Sequence, residues 1–236
     1  MRPPKPGVPP SGRRYSFVTA VSSKEGVNRI LKLKGASTGR KPLSLLCRDL
    51  ATIQEYALGI DKVASPHPRP TPPSPLALAR PSPSPTLAHP RPQTKYKMLR
   101  SYLPGPYTFI LRASPALPKM VYHDGKRQWK RSEIGVRVPD DGVCAAFLEQ
   151  FEEPLLCSTV PLGRGALDAE EQGEGEGYPE AQVALFCDIA AIGDTWCGQV
   201  DFVIDAGPRP SDGSTICDMR EDEPVLLRQG IGPLSW

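Results

Sequence analysis

A chain of 236 residues, 39% of them hydrophobic, can bury one substantial core, or at most two small ones. Its 29 prolines and 21 glycines are too many for a uniform globule, so a folded body must coexist with a stretch that cannot fold. No apolar run approaches the roughly 18 residues that cross a bilayer, and the first twenty residues lack the apolar core of a secretory signal. The expectation is a protein of the cytoplasm, a plastid or another organelle, neither secreted nor embedded in a membrane.

The near balance of 29 basic and 26 acidic side chains conceals an asymmetry. Residues 1–142 hold 25 Lys and Arg against 8 Asp and Glu, whereas residues 143–236 hold 4 against 18. Charge runs are most often solvated faces. Lys34, Arg112 and Arg137, however, flank apolar segments and turns, where they could line a cleft and attract an anion such as a nucleotide or RNA. Arg137 could equally pair with Asp140 or Asp141. Six cysteines (Cys47, Cys144, Cys157, Cys187, Cys197, Cys217) include no C-x-x-C pair, and the three histidines (His67, His89, His123) fall in loop-like segments. No protein-bound zinc or other metal is expected. With Cys47, Cys144 and Cys157 inside apolar stretches, buried reduced thiols are expected instead of disulfides.

In chain order, residues 1–14 read as a proline-rich basic tail. Ser22 and Glu25 fit an S-x-x-E capping box, followed by Val27, Ile30 and Leu31 at helical spacing and a stop at Gly35, so this helix carries Lys34 in its last turn. Residues 42–47 read as a strand, and Asp49 as the N-cap of a helix bearing Ile53, Tyr56 and Ala57. Residues 65–94 are a proline-rich insertion. From Ser65 to Pro92 there are eleven prolines, three arginines and no acid, which excludes a core helix or strand. Structure resumes with a helix over 95–103, broken by Pro104-Gly105-Pro106, and strands over 107–113 and 134–138. Apolar residues at Val143, Phe147, Leu148 and Phe151 predict an amphipathic helix over 143–151, and 155–160 follows as a strand. Residues 163–180 are acidic and glycine-rich, a mobile loop. A helix over 181–192 and strands over 199–204, 214–217 and 225–227 complete a body spanning 15–232, with 233–236 as a tail. Alternating strands and helices specify an α/β fold with a mixed, twisted sheet.

The standard catalytic signatures are missing. Gly35 to Lys41 (GASTGRK) has one residue too few between its glycines for a phosphate loop, and Pro42 stands where the magnesium-holding Ser or Thr is needed. No G-x-S-x-G elbow exists, and no histidine is placed to activate a serine. No residue is therefore assigned as nucleophile, general base or metal ligand.

Four segments, taken together and in order, carry a resemblance: KPLSLLCRDL (Lys41–Leu50), LPGPYTFIL (Leu103–Leu111), IGVRVPD (Ile134–Asp140) and VLLRQG (Val225–Gly230). The chain resembles the YrdC-like family from about Tyr15 to Gly232, apart from the proline insertion. The resemblance implies a twisted mixed sheet with flanking helices around a basic central cavity. It also implies the chemistry of threonylcarbamoyl-AMP synthases, which join threonine, bicarbonate and ATP, the last with Mg2+, for the t6A modification of tRNA. The fold's association with double-stranded RNA makes RNA, tRNA included, the alternative partner of a non-catalytic module. By the family pattern Lys34, Thr108, Thr159 and Arg228 would face the nucleotide, and Tyr15, Arg112 and Ser214 the threonine. Arginine suits a carboxylate because its planar fork binds both oxygens.

The chain departs from the family pattern at three places. Where the family has P-T-D-T this sequence reads Pro10-Ser11-Gly12-Arg13; K-x-R becomes Lys34-Gly35-Ala36; and S-x-N becomes Thr159-Val160-Pro161. Removing one hydrogen bond to a charged group typically costs about 1.5 to 3 kcal/mol. The departures resemble those of the YciO branch.

Overall fold

Every side chain from Tyr15 to Ala20 is buried, which a strand achieves only when both faces of its sheet are covered. The computed structural model, which describes residues 7–8, 14–34, 43–60, 93–118, 132–160, 186–187, 196–210 and 213–235, makes this strand part of a ten-stranded mixed sheet. The strands are β1 (Gly7–Val8), β2 (Ser16–Ala20), β3 (Ser44–Leu46), β4 (Ala57–Leu58), β5 (Tyr107–Ala113), β6 (Glu133–Arg137), β7 (Leu155–Thr159), β9 (Phe202–Val203), β11 (Thr215–Asp218) and β12 (Val225–Arg228). A separate pair joins β8 (Phe186–Cys187) to β10 (Arg209–Pro210). Across the sheet the order is β12-β11-β5-β6-β3-β7-β2-β1-β9, with β4 on β5. The β5–β11, β3–β6 and β1–β9 pairs are parallel and the remaining pairs antiparallel.

Side chains on a strand alternate between faces, so parity sorts them into two cores. Tyr15 and Phe17, Leu45, Phe109 and Leu111, Ile134 and Val136, and Leu156 belong to the larger core. It is closed by Val27 and Ile30 of α1 (Lys24–Lys34), Ile53 and Tyr56 of α2 (Leu50–Tyr56), and Leu99 of α3 (Gln93–Tyr102). The opposite parity, Val18, Ala20, Leu46, Leu155 and Cys157, forms a smaller core under Cys144 and Leu148 of α4 (Gly142–Leu148). Beyond that patch this second face carries Ser16, Ser44, Thr108, Thr159 and Arg137, together with the half-buried Ile110 and Ile216.

The α/β class and the twisted mixed sheet are as expected, and Asp49 caps α2 by accepting from the Thr52 amide. Local details differ. The cap of α1 is Ser23, whose hydroxyl accepts from the Gly26 amide at 3.1 Å, while Ser22 bonds Glu153. A cap must stand one residue before the first helical residue, and α1 begins at Lys24. Phe186–Cys187, expected to be helical, pairs as a strand with Arg209–Pro210; the rest of that predicted helix lies outside the described residues. Gly7–Val8, expected in a tail, adds β1 between β2 and β9. The predicted C-terminal tail is docked, with Pro233 and Ser235 carbonyls accepting from the Tyr107 and Tyr102 hydroxyls. Asp141, absent from the sequence expectations as a cap, starts α4 by accepting from the Cys144 amide at 2.8 Å. Most of the 65–94 insertion and all of 163–180 lie outside the described residues, except that Gln93 and Thr94 open α3.

Candidate functional site

The polar part of the second face runs diagonally across the sheet. At one end Ser16 pairs in register with Thr159; in the middle Ser44 pairs with Gly135; at the other end lie Thr108, Ser214 and Arg228. The links are short. A Cβ placed on Gly135 would stand 3.0 Å from Ser44 Oγ and 3.4 Å from Thr108 Cγ2, so glycine is what lets these hydroxyl residues close up. The Thr108 and Ser214 hydroxyls share a hydrogen bond of 2.9 Å, and Arg228 donates to the Ser214 carbonyl through Nη2 at 2.7 Å and Nε at 3.3 Å.

The arm that carries Arg228 is built by close backbone approach. Thr215 Oγ1 donates to the Gly232 carbonyl at 2.6 Å and accepts from the Gly230 amide at 2.9 Å. A side chain at Gly230 would meet the Gly213 carbonyl oxygen and the Ser214 carbonyl carbon at 2.4 Å, so the R-Q-G turn returns only with glycine. The guanidinium is thus aimed back along the sheet toward Ser214.

Arg137 ends β6 on the same face, opposite Leu46 of β3. Extending the β5–β6 register from Phe109↔Val136 sets Arg137 across from Thr108. Its Nε is buried without a hydrogen-bond partner among the described residues. Asp141 does not neutralise it: that carboxylate, 8% exposed, takes Arg209 at 2.6 Å while capping α4 with its other oxygen.

Of the site residues expected from the sequence, the fold therefore gathers Thr108, Ser214 and Arg228 at one end of the diagonal, with Thr159 at the other. Tyr15 faces the opposite way. It is fully buried in the larger core, donating from its hydroxyl to the Gly207 carbonyl at 2.9 Å and accepting from the Ala206 amide at 3.0 Å. Burial pushes that phenol above its ordinary range. Arg112 shares the face of Thr108 but lies four residues along β5, about 13 Å away. There it donates to the Arg220 carbonyl at 3.1 Å and to Glu221 at 2.8 Å. Beside it Arg220 forks onto Asp218 and also bonds Glu133; the fork holds the Asp218 carboxyl below the usual carboxylate range. Lys34 ends α1, and its side chain is outside the described set. A basic central cavity lined by all these cations is not seen among the described residues. The residues that sequence reasoning missed are Ser16, Ser44 and Gly135, whose signal is strand parity: each shares its face with residues of the α4 patch or of the Thr108 end.

A family model for Sua5/YciO/YrdC proteins, described as telomere recombination, matches residues 9–171. The chain belongs to the Sua5/YciO/YrdC family. Over 226 residues, 96% of the chain and 83% of the relative, it is 25% identical to the uncharacterized protein YciO of Escherichia coli. The threonylcarbamoyl-AMP synthase of Pyrococcus abyssi is 24% identical over 150 residues, 63% of the chain and 37% of that enzyme. The fold matches crystalline E. coli YciO with a TM-score of 0.66 at 24% identity, covering 97% of this chain and 84% of the other. It also matches P. abyssi Sua5 in complex with L-threonine, with a TM-score of 0.62 at 18% identity, covering 96% of this chain and 50% of the other. No helix among the described residues is long and apolar enough to cross a membrane.

Proposed function

We propose that this chain is a nucleotide-dependent adenylating protein of the threonylcarbamoyl-AMP synthase type, supplying the t6A modification of tRNA. The reading is carried by the hydroxyl pair of Thr108 and Ser214 under Arg228, one donor-rich cluster assembled from two of the family's motifs and the serine between them. Family membership and the similarity to the P. abyssi synthase support it.

In the proposed reaction the threonine amine and bicarbonate give a carbamate and water. A carbamate oxygen attacks the α-phosphorus of ATP, and the bond from that phosphorus to the bridging oxygen breaks, releasing pyrophosphate. No protein nucleophile takes part, so positioning and charge neutralisation are the whole catalytic task. Arg228 and Arg137 supply positive charge on the polar face, Thr108 and Ser214 supply hydroxyl donors, and Mg2+ accompanies the ATP. The departures at 10–13, 34–36 and 159–161 remove phosphate and threonine contacts, so slow turnover is expected.

The test is pyrophosphate release from ATP with bicarbonate, with and without threonine. Threonine-dependent release, lowered at least tenfold by Arg228→Ala, is expected; release that ignores threonine, or none at all, would overturn the assignment. A second reading, a non-catalytic module for tRNA or double-stranded RNA, is favoured by the basic surplus of residues 1–142. It requires tRNA binding that weakens steeply with salt through counterion release.

A further inference from the structure

Arg228 holds its place in the candidate site from an insecure position. It is the last residue of β12, the outermost strand of the sheet, which pairs with β11 alone and has all four of its residues exposed. The register shifts between Ile216, paired with Arg228, and Cys217, paired with Leu226, so Arg228 stands immediately past a bulge, where a strand bends. Burial does not fix it, and a long arginine side chain gives up much rotamer freedom when held in one place. Its guanidinium is nevertheless held. Besides its two bonds to the Ser214 carbonyl, it lies on Gly213, where an added Cβ would stand 2.8 Å from Nη2 and 3.1 Å from Cζ.

The restraint comes from the strap of residues 229–235 that follows. The Gly230 amide donates to Thr215 Oγ1 at 2.9 Å, the same hydroxyl donates to the Gly232 carbonyl at 2.6 Å, and the Ile231 amide donates to the Gly213 carbonyl at 3.2 Å. Further along, Gly232 lies on the Tyr107 ring, where a Cβ would meet Cε1 at 2.5 Å, and the Tyr107 and Tyr102 hydroxyls donate to the carbonyls of Pro233 and Ser235. Among these fastenings Thr215 supplies the side chain nearest Arg228. It is wholly buried, and its one hydroxyl acts as donor and acceptor at once to close the turn. Thr215 pairs with Tyr107 and has the parity of Cys217, so it faces the larger core, whereas Ser214 and Thr108 face the other way. A ligand on the polar face is out of its reach.

We infer that Thr215 is a positioning residue for Arg228: its hydroxyl, bonded to both the Gly230 amide and the Gly232 carbonyl, closes the turn that sets the guanidinium over Gly213 and against Ser214. It touches no substrate and acts only through the arginine. Its consequence for nucleotide binding rests on the function proposed above; the positioning itself does not.

Two measurements on the full chain keep these apart. The first needs no ligand. In nitrogen-15-labelled protein at mildly acidic pH, the Arg228 Nε–H resonance, assigned by its loss in Arg228→Ala, should move toward the position of solvent-exposed arginines in Thr215→Val, which keeps the side-chain shape. Thr215→Ala should do the same, and Thr215→Ser, which keeps the hydroxyl, should leave the resonance in place. The second is calorimetric titration with Mg2+-ATP. Thr215→Val should weaken binding about fivefold or more, with Thr215→Ser within about twofold of the parent. Added to Arg228→Ala, Thr215→Val should cost less than about a further twofold, because the arginine it positions is gone. Tyr102→Phe, which frees the strap at Ser235, should leave both readouts unchanged. A resonance unmoved by Thr215→Val and Thr215→Ala, an affinity loss of equal size with and without Arg228, no rescue by serine, or an equal effect of Tyr102→Phe would each overturn the inference. A resonance that moves as expected in a protein that does not bind ATP would uphold the positioning role and overturn the adenylation reading instead.

Discussion

Gly26 offers the sharpest test of how α1 is seated on the sheet, because the expected sign opposes ordinary helix propensity. It is the third residue of α1 and lies directly over Thr19 of β2. A Cβ there would stand 1.9 Å from Thr19 Oγ1, 2.9 Å from Thr19 Cβ and 3.0 Å from Ser23 Oγ. In an open helix Gly→Ala stabilises by about 1 kcal/mol. Here the Thr19 hydroxyl can rotate away, but the Cβ–Cβ contact of 2.9 Å remains far inside the roughly 3.5 Å at which carbons rest. Overpacking of this kind costs about 1 to 3 kcal/mol. With the disturbed Ser23 cap added, Gly26→Ala should destabilise by about 1 to 2 kcal/mol net. Urea unfolding would show a lowered midpoint at unchanged slope. Thr19→Ala removes a buried hydroxyl that has no hydrogen-bond partner among the described residues, and relieves the shortest contact. The double variant should therefore recover part of the loss, with a coupling of about 1 kcal/mol. A higher midpoint for Gly26→Ala, or strict additivity with Thr19→Ala, would refute the account.

Other outcomes follow from the same geometry. Asp141→Ala removes a helix cap and strands the guanidinium of Arg209, whose Nε already lacks a partner among the described residues, so it should cost about 3 kcal/mol in denaturant unfolding, whereas Asp140→Ala should cost little. Thr108→Val keeps the shape of the strand but deletes the hydroxyl that meets Ser214. It should weaken ATP binding, measured calorimetrically, about three- to tenfold without moving the unfolding free energy by more than about 0.5 kcal/mol. Burial pushes the Cys144 thiol up to about 12 and the Cys217 thiol to about 11, and that of Cys47 well up, so these three should resist a thiol reagent at pH 8 while the exposed Cys197 reacts. Because these proton affinities are raised by folding, the stability they contribute is complete below about pH 9 and is lost as pH climbs toward 11 and 12. Alkaline titration of the unfolding midpoint reads it.

Much of the fold is legible in the sequence because the apolar pattern of the central strands is strong. That pattern predicts Tyr107–Ala113 at its observed bounds, and 134–138 and 155–160 within a residue. The failures have local causes. Ser22 and Ser23 are equally good caps as residue types, and it takes the folded chain to hold Ser22 on Glu153 and leave Ser23 to accept from the Gly26 amide. Phe186–Cys187 sit in an apolar run whose period does not distinguish helix from strand until Arg209–Pro210 arrives from 22 residues on to pair with it. Asp141 is hidden because Asp140, its neighbour, satisfies the same sequence signal.

The site is legible in its parts more than in its arrangement, and the reason is a property of strands. Motif matching singles out Thr108, Ser214 and Arg228 because each lies in or beside a segment that resembles the family, and the sheet brings those segments side by side. It does not register which way a residue points. Tyr15 and Ser16 are adjacent in sequence and belong to opposite faces, the first sealed in the larger core and the second on the polar diagonal. Arg112 and Thr108 have the same parity and still sit at opposite ends of β5, where Arg112 meets Glu221 instead of the hydroxyl pair. A residue's suitability for a ligand thus depends on three separate facts: its chemistry, its parity and its distance along the strand. Chemistry is written in the sequence directly, and parity can be counted once one buried neighbour is known. The third requires the register between strands that are distant in sequence, such as Thr108 with Ile216, which only the folded sheet supplies.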